Sequence, residues 1–298
     1  MTSAIKMKNI SKSYGTIKAL DNLSLEVEKG NIFGFLGPNG AGKTTAIKIL
    51  MNLIKPDQGQ GEILGYDINE NSVSINQKIG YVPEADQLYD YMKVKEIINF
   101  NQGFYQNWDN SLVNKYNDFF KLPLDKKIKD LSMGMKKQLS LVLAMASQPE
   151  LLILDEPTSG LDPINRQEIL RIILEEIAVE SKTVFFSTHL LGDVERIADS
   201  VAIIKNGKLI EKRMVDDLKS NVKKIRVVFQ KEPDEEIFSL PGIEDYTRDG
   251  KAYIFSINNN LTKILNKLKE QPHFTLEIID QNLEEIFIDK VGDDNNEI

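Results

Sequence analysis

The sequence predicts an α/β fold: a largely parallel sheet, interrupted by a helical insert and followed by a small α+β domain. Three observations carry this prediction. The glycine-rich stretch Gly37-Pro38-Asn39-Gly40-Ala41-Gly42-Lys43-Thr44-Thr45 lies between the apolar run Ile32 to Leu36 and a helical pattern from Lys43 to Leu53. Leu151 to Asp155 is a continuous apolar run ending in an acid, as expected of a parallel strand covered on both faces. Between Val94 and Ala146 strand alternation gives way to apolar residues at three- and four-residue spacing, after which β–α alternation resumes.

Composition narrows the functional classes. The 298 residues suffice for one large or two modest domains with a sizeable core. No run of about 20 apolar residues occurs, so no bilayer-spanning helix is expected. Met1 to Lys6 shows no apolar stretch after a basic start, so no export signal is expected either. With 0 cysteines, disulfide and thiolate chemistry are excluded. A net charge of -8 argues against a general nucleic-acid binder, which needs a concentrated basic surface. The basic runs Lys126-Lys127-Ile128-Lys129 and Lys223-Lys224-Ile225-Arg226 read as solvated faces. Any membrane involvement must come through a partner.

Taken in order, Ile5 to Ile10 reads as a strand, Ser13-Tyr14-Gly15-Thr16 as a turn and Ile17 to Val27 as further short strands. Tyr14 is either a partly buried turn tyrosine or a platform on which a nucleobase stacks. Lys55 to Gly61 breaks the first helix, Glu62 to Asp67 reads as a short strand, and Ile79 to Val82 leads into the polar loop Pro83 to Gln87. In the helical insert Phe104, Tyr105 and Trp108 are expected to be core. Pro163 opens a helix towards Ala178. Thr183 to Ser187 is a buried-strand candidate, followed by Thr188-His189 and a helix to about Ala198. Asn206-Gly207 joins Ser200–Lys205 to Lys208–Glu211 as a hairpin. A boundary is expected between Lys219 and Lys224, dividing a domain over 1–220, with its insert over about 88–148, from an accessory domain over 221–298. The accessory domain shows strands at Ile225–Phe229, Ala252–Ile257 and Phe274–Ile279. It also shows a helix with Leu261, Ile264, Leu265 and Leu268 on one face, and a short helix over 283–288. It carries no catalytic constellation, and His273 beside Pro272 reads as a surface histidine.

The chemistry lies in three stretches. Residues 37–45 have the form G-x-x-x-x-G-K-[ST] of a Walker A loop, in the strand–loop–helix setting that gives the pattern its mechanism. Its glycines let backbone N–H groups curl round a phosphate, and the following helix points its positive dipole end at the same anion. Lys43 is placed to reach the β- and γ-phosphates and Thr44 to coordinate Mg²⁺. Asp155 supplies a carboxylate to the metal's hydration shell, as in a Walker B strand, and Glu156 could orient or deprotonate an attacking water. His189 is either a γ-phosphate contact or a satisfied, partly buried histidine.

With Leu131-Ser132-Met133-Gly134-Met135, Ser159-Gly160-Leu161-Asp162 and His189 added in this order, the chain resembles the ATP-binding subunit of an ABC transporter over residues 4 to 218. The resemblance implies a P-loop NTPase core with an inserted helical subdomain and a small C-terminal α+β domain. It implies ATP and Mg²⁺ as cofactors, with Gly37, Pro38, Asn39, Gly40, Ala41, Gly42, Lys43, Thr44 and Thr45 around the nucleotide and Thr44, Asp155 and Glu84 at the metal. Glu156, His189 and Lys43 take the catalytic roles. Tyr14 stacks on adenine, Ser132 and Gly134 meet the γ-phosphate held by a second subunit, and Asp162 contacts across that dimer. A separate multi-span permease docks near Glu84 to Met92, holding the chain peripherally at the cytoplasmic side of the membrane. The dimer forms with a second copy or a related ATPase, and no direct nucleic-acid binding is expected.

Three residues in two motifs depart from the family pattern. Met133 and Met135 replace the usual glycine and glutamine of the signature, and Glu84 stands where a glutamine is usual, adding charge and losing an amide donor. Gln87 is a nearby alternative, three residues out of register. The variant signature and the tail Asn282 to Phe287 resemble the branch exporting drugs and peptide antibiotics through a separate permease. Competing readings are a soluble ABC ATPase acting on ribosomes or DNA and a regulatory module that binds ATP without hydrolysing it.

Overall fold

The computed structural model describes residues 2–280 apart from 71, 86, 181 and 222, together with 285 and 287. It divides into two units, Met1–Lys212 and Arg213–Ile298.

In the first unit β1 (Ser3–Tyr14) and β2 (Ile17–Glu28) form a long antiparallel hairpin, where the sequence suggested several short strands. β3 (Ile32–Leu36) leads through the glycine-rich loop into α1 (Lys43–Leu50). β4 (Gln58–Ile63) and β5 (Tyr66–Asp67) complete a four-stranded sheet in the order β2-β1-β4-β5. After α2 (Ser72–Asn76) and β6 (Ile79–Val82) come the insert helices α3 (Val94–Gln102), α4 (Asn110–Phe120) and α5 (Met133–Ala146). The core then resumes with β7 (Leu151–Asp155), α6 (Pro163–Glu180), β8 (Thr183–Thr188), α7 (Leu191–Ile197), β9 (Ser200–Lys205) and β10 (Lys208–Met214), whose last two residues belong to the second unit.

The second sheet runs β10-β9-β3-β8-β7-β6, and β9, β3, β8, β7 and β6 pair in parallel along it. Every residue of β3, β7 and β8 is buried, which explains their unbroken apolar runs. Phe185 anchors this layer, with ring centroids 5.9 Å from Phe33 and 5.4 Å from Phe35. Phe185→Ala is expected to destabilise the first unit by about 3–5 kcal/mol through lost burial and the cavity left behind; the urea midpoint of unfolding measures it. Because the strands are parallel, the loops after β3, β6, β7 and β8 open at one edge of the sheet.

Close packing joins the insert to this sheet. A Cβ on Gly80 of β6 would stand 2.7 Å from the Ala144 carbonyl of α5, so only glycine admits the helix at that distance. α5 is buried nearly all round, with Leu139, Val142 and Ala146 fully inaccessible. The aromatic residues expected in the insert's core divide instead. Tyr105 and Trp108 are half-buried in the loop after α3 with centroids 6.1 Å apart, whereas Phe104 is 59% exposed. α5 takes the buried place with small and aliphatic side chains, which leaves the loop aromatics outside.

The second unit contains α8 (Val215–Asn221), β11 (Lys223–Phe229), β12 (Ile243–Asp249), β13 (Ala252–Ile257), α9 (Leu261–Glu270) and β14 (His273–Asp280). It begins ahead of the boundary expected at 220, and the Arg213 guanidinium already donates to the Asn258 carbonyl at 3.1 Å. Its antiparallel sheet runs β12-β13-β11-β14. Ile225, Val227, Phe229, Tyr253, Phe255 and Ile257 form its core with Ile264 and Leu268 of α9. The sequence reading missed β12, an exposed edge strand whose residues Ile243-Glu244-Asp245-Tyr246-Thr247-Arg248-Asp249 have little reason to be apolar. His273 is half-buried at the start of β14, its Nδ1 2.7 Å from the Gln271 carbonyl. The short helix expected over 283–288 lies largely outside the described residues.

Candidate active site

The loop after β3 is shaped by its glycines and by the hairpin behind it. Gly42 has φ +106°, and a Cβ there would lie 2.4 Å from the Ala19 carbonyl of β2, so the position excludes any side chain. Lys43 opens α1 and is 5% exposed; its Nζ donates to the carbonyls of Gly37 at 2.8 Å and Pro38 at 3.2 Å. The same ammonium lies 3.1 Å from Glu156 Oε1, an ion pair without the alignment of a hydrogen bond. A cavity of about 590 Å³ opens over the loop. Asn39 to Thr45 form its floor, Ile17, Lys18 and Ala19 of β2 one wall, and Glu84, Glu156, Ser159, His189 and Asn206 the remainder.

Two acids and a hydroxyl converge at the end of β7. Thr44 Oγ1 lies 3.3 Å from both Glu84 Oε2 and Asp155 Oδ1. Its single hydrogen cannot satisfy both acceptors at once. Asp155 is fully buried and receives a 2.6 Å bond from Ser187 Oγ, while its Oδ2 has no partner. Burial pushes the Asp155 carboxyl up, against the Ser187 and Thr44 hydrogen bonds. Neighbouring Tyr81 is pushed up to about 12, first by burial and then by Asp155 and Glu84. This is a desolvated, negative corner with an orphaned carboxylate oxygen, a setting that favours a small cation. Among the described residues no cluster of three His, Cys, Asp or Glu side chains surrounds it. Mg²⁺ in phosphate sites commonly takes one or two carboxylates, with the substrate and water completing its shell.

Glu156 follows Asp155 with φ 48°, a left-handed backbone costly for a side-chain-bearing residue. Its N–H is shared between Ser187 Oγ at 3.0 Å and the Ser187 carbonyl at 3.2 Å. The residue is 4% exposed, and its carboxylate turns to His189, whose Nδ1 stands 2.9 Å from Oε2. The loops after β3, β7 and β8 thus bring Lys43, Glu156 and His189 together, three residues that the sequence spreads over more than a hundred positions.

Comparisons with known proteins supply the family. The family model for ABC transporters matches residues 20–159. A second model, described as AAA domain, putative AbiEii toxin, Type IV TA system, matches residues 127–192. Over 290 residues the chain is 31% identical to the ABC transporter ATP-binding protein YtrB of Bacillus subtilis (strain 168), covering 97% of this chain and 98% of YtrB. The chain belongs to the ABC transporter ATP-binding proteins. It is also 33% identical over 301 residues to the bacitracin transport ATP-binding protein BcrA of Bacillus licheniformis, covering 98% of each. A solved ATP-binding subunit of an ABC transporter has the same fold, with a TM-score of 0.66 and 29% identity over 72% of this chain and 92% of that one. As an ABC ATPase, the protein binds and hydrolyses ATP.

Other residues singled out by the ABC resemblance do not line the cavity. Tyr14 is 49% exposed at the end of β1, paired across the turn with Ile17, which does line it. Ser132 caps α5, its Oγ accepting from Met135 N–H at 3.2 Å, and Gly134 faces the Asn165 side chain. Asp162 caps α6 by accepting from the N–H groups of Ile164 at 3.0 Å and Asn165 at 3.1 Å and from the Asn165 amide. The Asn165 bonds hold its carboxyl below the usual range. Gln87 is exposed and does not line the cavity.

Several residues of the ABC site escaped the sequence reading. Ser187 binds both acids; a polar side chain on an otherwise apolar buried strand was the available signal. Asp193 of α7, 1% exposed, receives the Arg166 Nε at 2.6 Å and the Thr158 hydroxyl, tying the helix after His189 to the residues around α6. Lys137, a cation on a helix that reads as apolar, is likewise buried.

Proposed function

We propose that this ABC ATPase drives a separate membrane permease that exports a small molecule or peptide, and that it works as a head-to-tail pair of ATPase subunits. The observation that carries the pairing is that Ser132 and Gly134 lie away from the cavity that holds Lys43 and Glu156. A helix start capped by Ser132 has free N–H groups suited to a phosphate held by another subunit. Each chain then supplies half of two sites. Asp162, holding the start of α6, and Tyr14, beside Ile17 at the cavity wall, complete the roles carried over from the family. A small molecule or peptide as cargo follows the bacitracin-transport name of BcrA, and the export direction follows the resemblance of the variant signature and the tail to the exporter branch.

In this reading Lys43 leaves Glu156 and the loop carbonyls for the β- and γ-phosphates, while Glu156 orients or deprotonates the attacking water. His189 holds the Glu156 carboxylate and faces the γ-phosphate. Thr44, Asp155 and Glu84 would hold Mg²⁺, which neutralises phosphate charge when bound; the unpartnered Asp155 Oδ2 fits that use. No described helix is long and apolar enough to cross a membrane, so attachment at the cytoplasmic face falls to the permease.

The permease contact is assigned to the loop from Glu84 to Met92 together with an aromatic surface beside it. Tyr91, Tyr89, Phe100 and Phe104 form a ladder with centroid spacings of 5.9, 5.7 and 5.0 Å, and all four are more than 40% exposed. Mild-detergent isolation of the tagged protein from its own cells tests the proposal, with a stoichiometric multi-span protein as the expected companion. Phe100→Ser combined with Phe104→Ser is expected to lose that companion while keeping the melting temperature. Repeated recovery of ribosomes or DNA-repair proteins in its place would overturn the transport reading.

A further inference from the structure

Lys137 lies on α5, the helix that starts at Ser132, and is only 3% exposed. Its Nζ donates to the carbonyls of Pro83 at 3.2 Å and Glu84 at 2.5 Å, and reaches the Glu156 carbonyl at 3.5 Å. A buried ammonium is costly unless its donors are used, and these three carbonyls use them. Glu84 and Glu156 are the acids whose carboxylates reach Thr44 and His189, respectively. The cation therefore grips the main chain of both acids from behind, without entering the cavity that they line.

We propose that Lys137 is a positioning residue for ATP hydrolysis, fixing the backbones of Glu84 and Glu156 so that the Glu156 carboxylate is aimed into the cavity. The backbone of Glu156 supplies the second reason. Its left-handed φ of 48° persists only if surrounding bonds hold it. Ser187 holds the N–H side. The Ser159 N–H, at 3.2 Å, and Lys137 hold the carbonyl side. Without the ammonium, the peptide after Glu156 loses one of these two ties and the carboxylate swings with it. Lys137 also links the insert to the acids, so a shift of α5 reaches Glu156 directly. Phosphate contacts come from Lys43 and the loop N–H groups, which Lys137 does not touch, so nucleotide affinity does not depend on it.

This inference rests on Glu156 as the group that activates water, and the test separates the two. Steady-state and single-turnover phosphate release and equilibrium binding of a fluorescent ATP analogue are measured for the full-length wild type, Lys137→Met, Glu156→Gln and the double variant. Lys137→Met is expected to lower kcat at least tenfold, with KM and analogue affinity within threefold of wild type. In the Glu156→Gln background the same change is expected to alter the residual single-turnover rate less than twofold, because Lys137 acts through Glu156. A single variant within twofold of wild-type kcat, a loss seen mainly in KM, or a full tenfold further loss in the double variant overturns the proposal. Lys137→Gln is held to the same criteria and replaces Lys137→Met if that protein does not fold. Wild-type turnover by Glu156→Gln would instead overturn the assignment of Glu156.

Discussion

Glu156→Gln lowers ATP turnover by about 10²–10⁴-fold, the range for removing a positioned general base. The amide keeps the shape of the side chain and one oxygen for His189 but cannot accept a proton. ATP affinity stays the same or tightens. Lys43 is paired with Glu156 at 3.1 Å, and a neutral amide in place of the carboxylate holds the ammonium less tightly, leaving it freer to meet phosphate. With binding intact and hydrolysis slow, the closed pair persists. Gel filtration in Mg·ATP is expected to show Glu156→Gln as a dimer where wild type elutes as a monomer. A monomeric variant at high protein concentration would remove the homodimer and point to a related ATPase as the other half.

Lys43→Ala reduces turnover to background and weakens ATP binding by about 10–100-fold, the equivalent of losing one hydrogen bond to a charged group. Titration calorimetry reads the affinity directly. A second effect follows from the burial of the ion pair. Removing the cation leaves Glu156 Oε1, in a side chain 5% exposed, without its charge partner, so the nucleotide-free protein is expected to melt earlier than wild type. Adding Glu156→Gln to Lys43→Ala removes the orphaned charge, and the melting temperature should recover while binding stays weak. A Lys43→Ala protein that binds ATP as wild type does would show that the cavity over residues 39–45 is not where the nucleotide sits.

Much of the site was legible because its parts are local. A loop that must turn through Gly42 at φ +106° has to carry glycine there, whatever the rest of the chain does. Strands buried on both faces must be apolar throughout, which made β3, β7 and β8 readable to within a residue. The residues that escaped belong to contacts between distant elements. β12 has no periodicity to read, because an edge strand exposed to water imposes none. Phe104, Tyr105 and Trp108 read as core because aromatic side chains usually are. The space was taken by α5, whose approach to β6 depends on Gly80, a residue far from them in sequence.

By itself, the sequence determined the chemistry available to this ABC ATPase: a phosphate loop with its lysine and threonine, two successive acids at a strand end, and a histidine after another strand. These are written in backbone conformation and strand burial, which act over a few residues. Only the tertiary structure decided how they meet. The order β3-β8-β7-β6 sets Ser187 against both acids, Glu84 against Thr44 and His189 against Glu156. The same packing sends Lys137 in from a separate helix to the main chain of Glu84 and Glu156, and keeps Ser132 and Gly134 away from their own cavity. Such contacts join side chains tens to more than a hundred positions apart, and strand order and helix packing, not local propensity, place them.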